Sequence, residues 1–224
     1  MTLSHVYAEK ILPFINISSE QKLAVKAWWK AFDKDQRLIS DSYKGRVKEP
    51  LDIPAWMNQY LHPIDKDIMW EFGPGIKKAH RLVITSETTR LLHPLVQYVL
   101  SQAPEYKDWE FYEYRLVEDL DDTQLTMNAR ANWQDISEIK FELLSSKFNT
   151  LGIVYYIPAS WDLEKKERHS YNAYILTESL LGEEILDKWV DYIEVQVETK
   201  NKPSKRIKNS AQPLSNLKKL SQMK

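Results

Sequence analysis

The sequence predicts an α+β domain: a mostly antiparallel sheet with helices on one face, of ferredoxin-like or split βαβ type. Three observations predict it. A strand–helix–strand pattern occurs at 79–116 and again at 170–198. An alternating segment at 137–144 and an apolar run at 151–157 lie between them and read as an inserted hairpin. Helix signals fall at 19–33 and 52–62, and no strand is read before residue 68. Two strand–helix–strand units in one sheet are what a ferredoxin-like core requires, and right-handed crossovers would place both helices on the same side.

The elements follow in order. Residues 19–33 read as an amphipathic helix, with Ser18 or Ser19 as N-cap and Leu23, Ala27, Trp28, Trp29 and Phe32 near one stripe. The polar segment 34–50 reads as a loop. A short helix starts at Asp52, with Pro54 in its first turn where a missing N–H costs nothing, and ends before Pro63. Residues 68–72 form a strand that Gly73-Pro74-Gly75 breaks. The run 79–85 is a strand. A helix follows from Thr85 or Ser86, burying Leu91, Leu92, Leu95, Val96, Val99 and Leu100, with Pro94 kinking it or separating its first turn. Residues 109–116 form an aromatic strand. Residues 117–135 read as an acidic loop and 159–169 as a charged loop. Strands are expected at 171–177 and 189–198, joined by a short helix at 179–188.

This ordering gives three regions: an N-terminal helical extension (1–67), an α+β core (68–199) and a basic tail (200–224) expected to be disordered. The 224 residues suit one domain with additions. Hydrophobic content of 43%, with eight tryptophans and twelve tyrosines, is enough for a real core. The net charge of −1 conceals an asymmetry. Eight of the 31 basic residues and none of the 32 acidic ones lie in 200–224, so the body carries −9. Blocks of this kind govern association rather than fold.

Composition also excludes chemistry. With no cysteine there is no disulfide, thiolate nucleophile or cysteine-ligated metal. The first residues lack a basic region followed by an apolar one, so no secretory signal is read. No apolar run approaches the ~18 residues of a membrane span. A cytoplasmic protein without a cofactor is expected.

The stretch 71–87, EFGPGIKKAHRLVITSE, invites a phosphate-loop reading, but its glycines precede a strand. A Walker loop or a dinucleotide fingerprint needs them before a helix. It therefore reads as a structural turn. His80 and His93 fall on different elements and read as surface or capping residues. His62, Asp65 and Asp67 could hold a divalent cation, although D-x-D is commonly a solvated turn. Glu118, Asp119, Asp121 and Asp122 form the densest acidic cluster and suit a basic protein partner. Glu183 and Glu184 are sufficiently explained as first-turn carboxylates. No serine sits in a nucleophile motif. The basic tail could meet nucleic acid or an anionic surface, but it has no aromatic residue for base stacking.

The residues His80-Arg81-Leu82-Val83-Ile84-Thr85-Ser86-Glu87, His93-Pro94-Leu95-Val96, Ala103-Pro104, and Trp109-Glu110-Phe111-Tyr112 carry a resemblance. So do Leu180-Leu181-Gly182-Glu183 and Ile193-Glu194. Over about 75–198 the chain resembles a group of bacterial α+β domains of unknown function. Some small domains of this sort look like immunity proteins or regulators. The resemblance implies no catalytic residue. The expected function is a non-enzymatic, protein-binding module in a bacterial cytoplasm, with Trp109, Tyr112, Tyr114 and the 118–122 acids as contact surface. The alternatives are a metal-dependent hydrolase or nuclease using His62, Asp65 and Asp67 or the His80/His93 pair, and nucleic-acid binding through the tail.

Overall fold

The computed structural model describes residues 16–87, 89–131, 133, 135–145, 150–161, 166–198, 212–213 and 216–217. They divide between two compact units, Met1–Tyr114 and Arg115–Lys224. Both mix helix and strand, so the α+β class stands. The sheet is not single: one has three strands and the other four.

In the first unit, α1 (Ser19–Tyr43) opens on a capping box, with Ser18 Oγ accepting from Gln21 N–H and Gln21 Oε1 accepting from Ser18 N–H. It runs ten residues past the predicted end. Ile39 continues the buried stripe of Val25, Trp28 and Phe32, and the helix stops only at Lys44 and Gly45, whose φ is 65°. Helix α2 (Ile53–Tyr60) has Asp52 as its N-cap, as predicted. Strands β1 (Met69–Pro74) and β2 (His80–Thr85) pair antiparallel. Helix α3 (His93–Ser101) begins at His93, so Pro94 falls harmlessly in its first turn. The stretch from Thr85 is a turn in which Glu87 takes φ 47° and Thr85 Oγ1 accepts from Glu87 N–H. Leu91, predicted buried, is 93% exposed for that reason. Strand β3 (Trp109–Tyr112) lies parallel to β2, a connection that requires a crossover such as α3.

The core of this unit joins α1 and α2 to the sheet. Six aromatic rings surround Phe32 with centroids 5.1–6.5 Å away: Trp28, Trp29, Trp56, Tyr106, Trp109 and Phe111. The helices expected as an extension are thus part of the core they were expected to precede.

The second unit contains α4 (Leu120–Arg130), a 3₁₀ turn (Ile136–Glu138), β4 (Lys140–Ser145), β5 (Leu151–Pro158), α5 (Lys166–Leu181), α6 (Glu183–Trp189), β6 (Val190–Glu198) and β7 (Gln212–Pro213). The sheet order is β6-β5-β4-β7, with β4/β5 antiparallel as predicted and β5/β6 parallel. Two expectations fail here. The acidic "loop" contains α4, whose buried side is only Thr123 and Met127 and so left no apolar stripe to detect. The segment 171–177 is helical, not a strand. Its Ala173 and Leu176, with Leu180 further along the same helix, recur at helical spacing and are buried, while its β-branched and aromatic content suggests a strand. Each sheet therefore holds one strand–helix–strand unit, β2-α3-β3 or β5-α5-α6-β6, each preceded by an antiparallel partner. The ferredoxin-like arrangement, with both units in one sheet, is replaced by this pairing. Most of the predicted tail lies outside the described residues. Of the rest, Gln212 and Pro213 pair with β4 and Leu217 is buried.

Candidate functional site

The turn between β1 and β2 is organised around a carboxylate. Ile76 N–H donates to Glu110 Oε1, and Lys77 N–H donates to Oε1 at 3.3 Å and Oε2 at 3.1 Å. The Lys78 N–H and the Tyr112 hydroxyl face the same carboxylate and favour its charged form. Successive backbone N–H groups converging on an anion form a nest. Gly75 makes it possible: a Cβ there would meet the Lys78 carbonyl oxygen at 2.3 Å. Burial raises the Glu110 pKa, but the bonds from Ile76, Lys77, Tyr112 and Lys78 outweigh it and hold the group below the ordinary carboxylate value. Arg81 is the cross-strand partner of Glu110 and pairs with Glu71 at 3.1 Å. The Lys78 ammonium is held by the Tyr106 carbonyl, while Lys77 is exposed. The glycine-rich stretch is thus a turn, as expected, and it grips an anion supplied by its own chain. No signal could reveal that in sequence, because Glu110 is 34 residues from Ile76.

The two histidines have separate environments. His80 is buried; its Nδ1 lies 2.8 Å from the Tyr43 hydroxyl and its ring packs 4.8 Å from Trp109. Burial lowers its pKa, Lys44 and Arg46 reinforce that, and Asp108 and Asp41 oppose it. His93 stacks on Tyr114 at 4.7 Å, with Nε2 3.1 Å from the Tyr114 hydroxyl and 3.6 Å from Glu113. His80 is therefore a core residue rather than a surface one.

Among the predicted contact residues, Trp109 is 2% exposed and packed in the core, so it cannot meet a partner. Its strand position placed it, with Leu82 and Ile84, on the inward face. Tyr112 and Tyr114 are half-buried and their hydroxyls engage Glu110 and His93. Glu118, Asp119, Asp121 and Asp122 belong to the second unit. Asp119 is the N-cap of α4, accepting from Asp122 N–H at 2.9 Å, and Asp121 and Asp122 occupy the exposed first turn. Leu125, one turn further, is 66% exposed. Glu118 is half-buried and accepts from the Thr126 hydroxyl.

The proposed metal residues do not assemble. Asp65 accepts from Asp67 N–H in a tight turn, and among the described residues no group of three or more His, Asp or Glu side chains is placed to hold an ion. No helix among them is long and apolar enough to cross a membrane.

A polar network in the second unit escaped sequence reasoning. Glu178, on α5, lies between Arg115 Nη1 at 3.1 Å and Arg130 Nη1 at 3.3 Å, with its side chain 3% exposed. Glu183 is also buried and accepts from Arg115 N–H at 2.9 Å, so it does more than open a helix. Gly182, at φ 80°, provides the corner that brings both acids to the 115–118 strap. These contacts are those of a structural clamp.

Compared with protein-family models, curated proteins and solved structures, the chain matches none.

Proposed function

We propose that this chain is a non-enzymatic, regulator- or immunity-like module of the bacterial cytoplasm that binds a basic protein. The observation that carries the reading is the solvent face of α4. Asp121 and Asp122 stand exposed in its first turn, and Leu125 follows at 66% exposure on a helix whose buried side is only Thr123 and Met127. An apolar side chain beside paired carboxylates combines an anchor with a steering field. The field speeds encounter with cationic surfaces and the anchor supplies desolvation energy. The body's charge of −9 outside the tail acts in the same direction.

The test is a pulldown from bacterial lysate at low and moderate salt, with the wild-type chain and with D121K/D122K/L125A. All three positions are exposed, so folding should be retained. A stoichiometric basic partner recovered by wild type and lost by the triple variant supports the reading. Recovery of no such partner at either salt, or equal recovery by both chains, sinks it.

A further inference from the structure

The turn at 75–78 does more than reverse the chain. The N–H groups of Ile76 and Lys77 donate to one carboxylate, and the Lys78 N–H faces it from the same turn. That geometry suits any oxyanion, since neither the N–H groups nor the concavity distinguishes a carboxylate from a phosphate. The charges around it favour an anion as well. Lys77 is exposed at the turn, Lys78 is half-buried beside it, and Arg81 is the cross-strand partner of Glu110. Against these three cations stands Glu71, paired with Arg81. Glu110 is the only anion bonded to the nest N–H groups among the described residues, and it lies half-buried on β3, one of the two outer strands of its sheet.

We propose that the 75–78 turn is an oxyanion-binding site that Glu110 occupies as an internal ligand. A phosphate or carboxylate from another molecule takes the same N–H groups when Glu110 leaves them. Glu110 is then a latch. A tethered carboxylate competes at an effective concentration of at least the millimolar order, so the latch suppresses weak ligands and yields to strong ones. Because the donors belong to a turn and not to a helix N-terminus, no macrodipole assists them. Lys77, Lys78 and Arg81 therefore supply the remaining attraction, and Lys77 is the exposed one of the three.

The test is amide-resolved NMR of the full chain, titrated with inorganic phosphate and, separately, with acetate. The chains are wild type, E110A, E110Q and E110A/K77A. The expected result is saturable shifts confined to the Ile76, Lys77 and Lys78 amides, at phosphate concentrations at least about tenfold lower in E110A than in wild type. E110A/K77A should need several-fold more phosphate than E110A. The concentration ratio between the two titrants says whether a phosphate or a carboxylate is the better ligand. If E110A loses the turn before any ligand is added, E110Q decides by the same criterion, because its amide oxygen still accepts but carries no charge. Equal response of wild type and the unlatched chain overturns the proposal. So does a non-saturating response, or one spread over surface lysines generally.

Discussion

The Tyr43 hydroxyl lies 2.8 Å from His80 Nδ1, at the point where the end of α1 meets the start of β2. Burial raises the Tyr43 pKa and lowers that of His80, so at neutral pH both are uncharged and the hydroxyl donates to the imidazole. The sign of the pH dependence follows. The unfolded chain binds a proton at His80 near pH ~6.5, while the folded chain resists it. Stability is full above that value and is lost as pH falls through the folded pKa. An NMR titration should find His80 below the ordinary histidine value. Tyr43→Phe should move it back upward and cost about 1 kcal/mol, because the neutral ring loses its donor. An unchanged His80 titration in that variant would show that the hydroxyl does not set the tautomer.

Glu178 should prove the most sensitive charged residue of the second unit. Its carboxylate is the counter-charge for Arg115, whose side chain is 10% exposed, and also for Arg130. Glu178→Ala removes a nearly buried carboxylate that two guanidiniums share, a loss that costs about 3–5 kcal/mol. Arg130 is 36% exposed, and Arg130→Ala should cost under about 1 kcal/mol because water replaces most of what it loses. Urea unfolding of the two variants checks the ratio. Similar small losses for both would mean that Glu178 is solvated in solution.

Parts of this structure were legible because their signals are local. The Ser18 and Asp52 caps, the 137–157 hairpin and the 189–198 strand all follow from residues within a few positions of one another. The errors arose where tertiary context decides. Helix α4 buries too little to show a period, and 171–177 has strand composition but is buried on several sides of a helix. The site was least legible. The aromatic run at 109–116 suggests a contact surface, yet strand register turns Trp109 inward, and the anion that fills the 75–78 nest comes from a strand far along the chain.

Phe32 tests whether the N-terminal helices are structural. Its ring is fully buried among six others, and three of those rings belong to 106–111. Phe32→Ala should cost about 3–5 kcal/mol. Leu23→Ala, on the same helix but 66% exposed, should change stability by no more than about 0.5 kcal/mol. A chain beginning at residue 68 should show no cooperative unfolding of the β1–β3 sheet, since α1 and α2 supply the other half of its core. A stable, cooperatively unfolding 68–224 would restore the view of 1–67 as a dispensable extension.

The Gly75 turn and the Glu110 carboxylate hold each other in place. Gly75→Ala places a Cβ 2.3 Å from a backbone oxygen, which cannot yield without opening the turn. Glu110→Ala removes the acceptor that holds the same turn closed. Both changes break one device, so their costs should not add. A double-mutant cycle should give a coupling of about 0.5–3 kcal/mol. The pH dependence supplies an independent check. Because the folded pKa of Glu110 is depressed, its contribution is complete above the ordinary carboxylate value near ~4.5 and is lost as pH falls through the folded value. The stability gap between wild type and Glu110→Gln should therefore narrow in acid, where the native side chain also becomes neutral. Additive costs, or a gap that is constant down to acid pH, would mean that the carboxylate does not hold the turn.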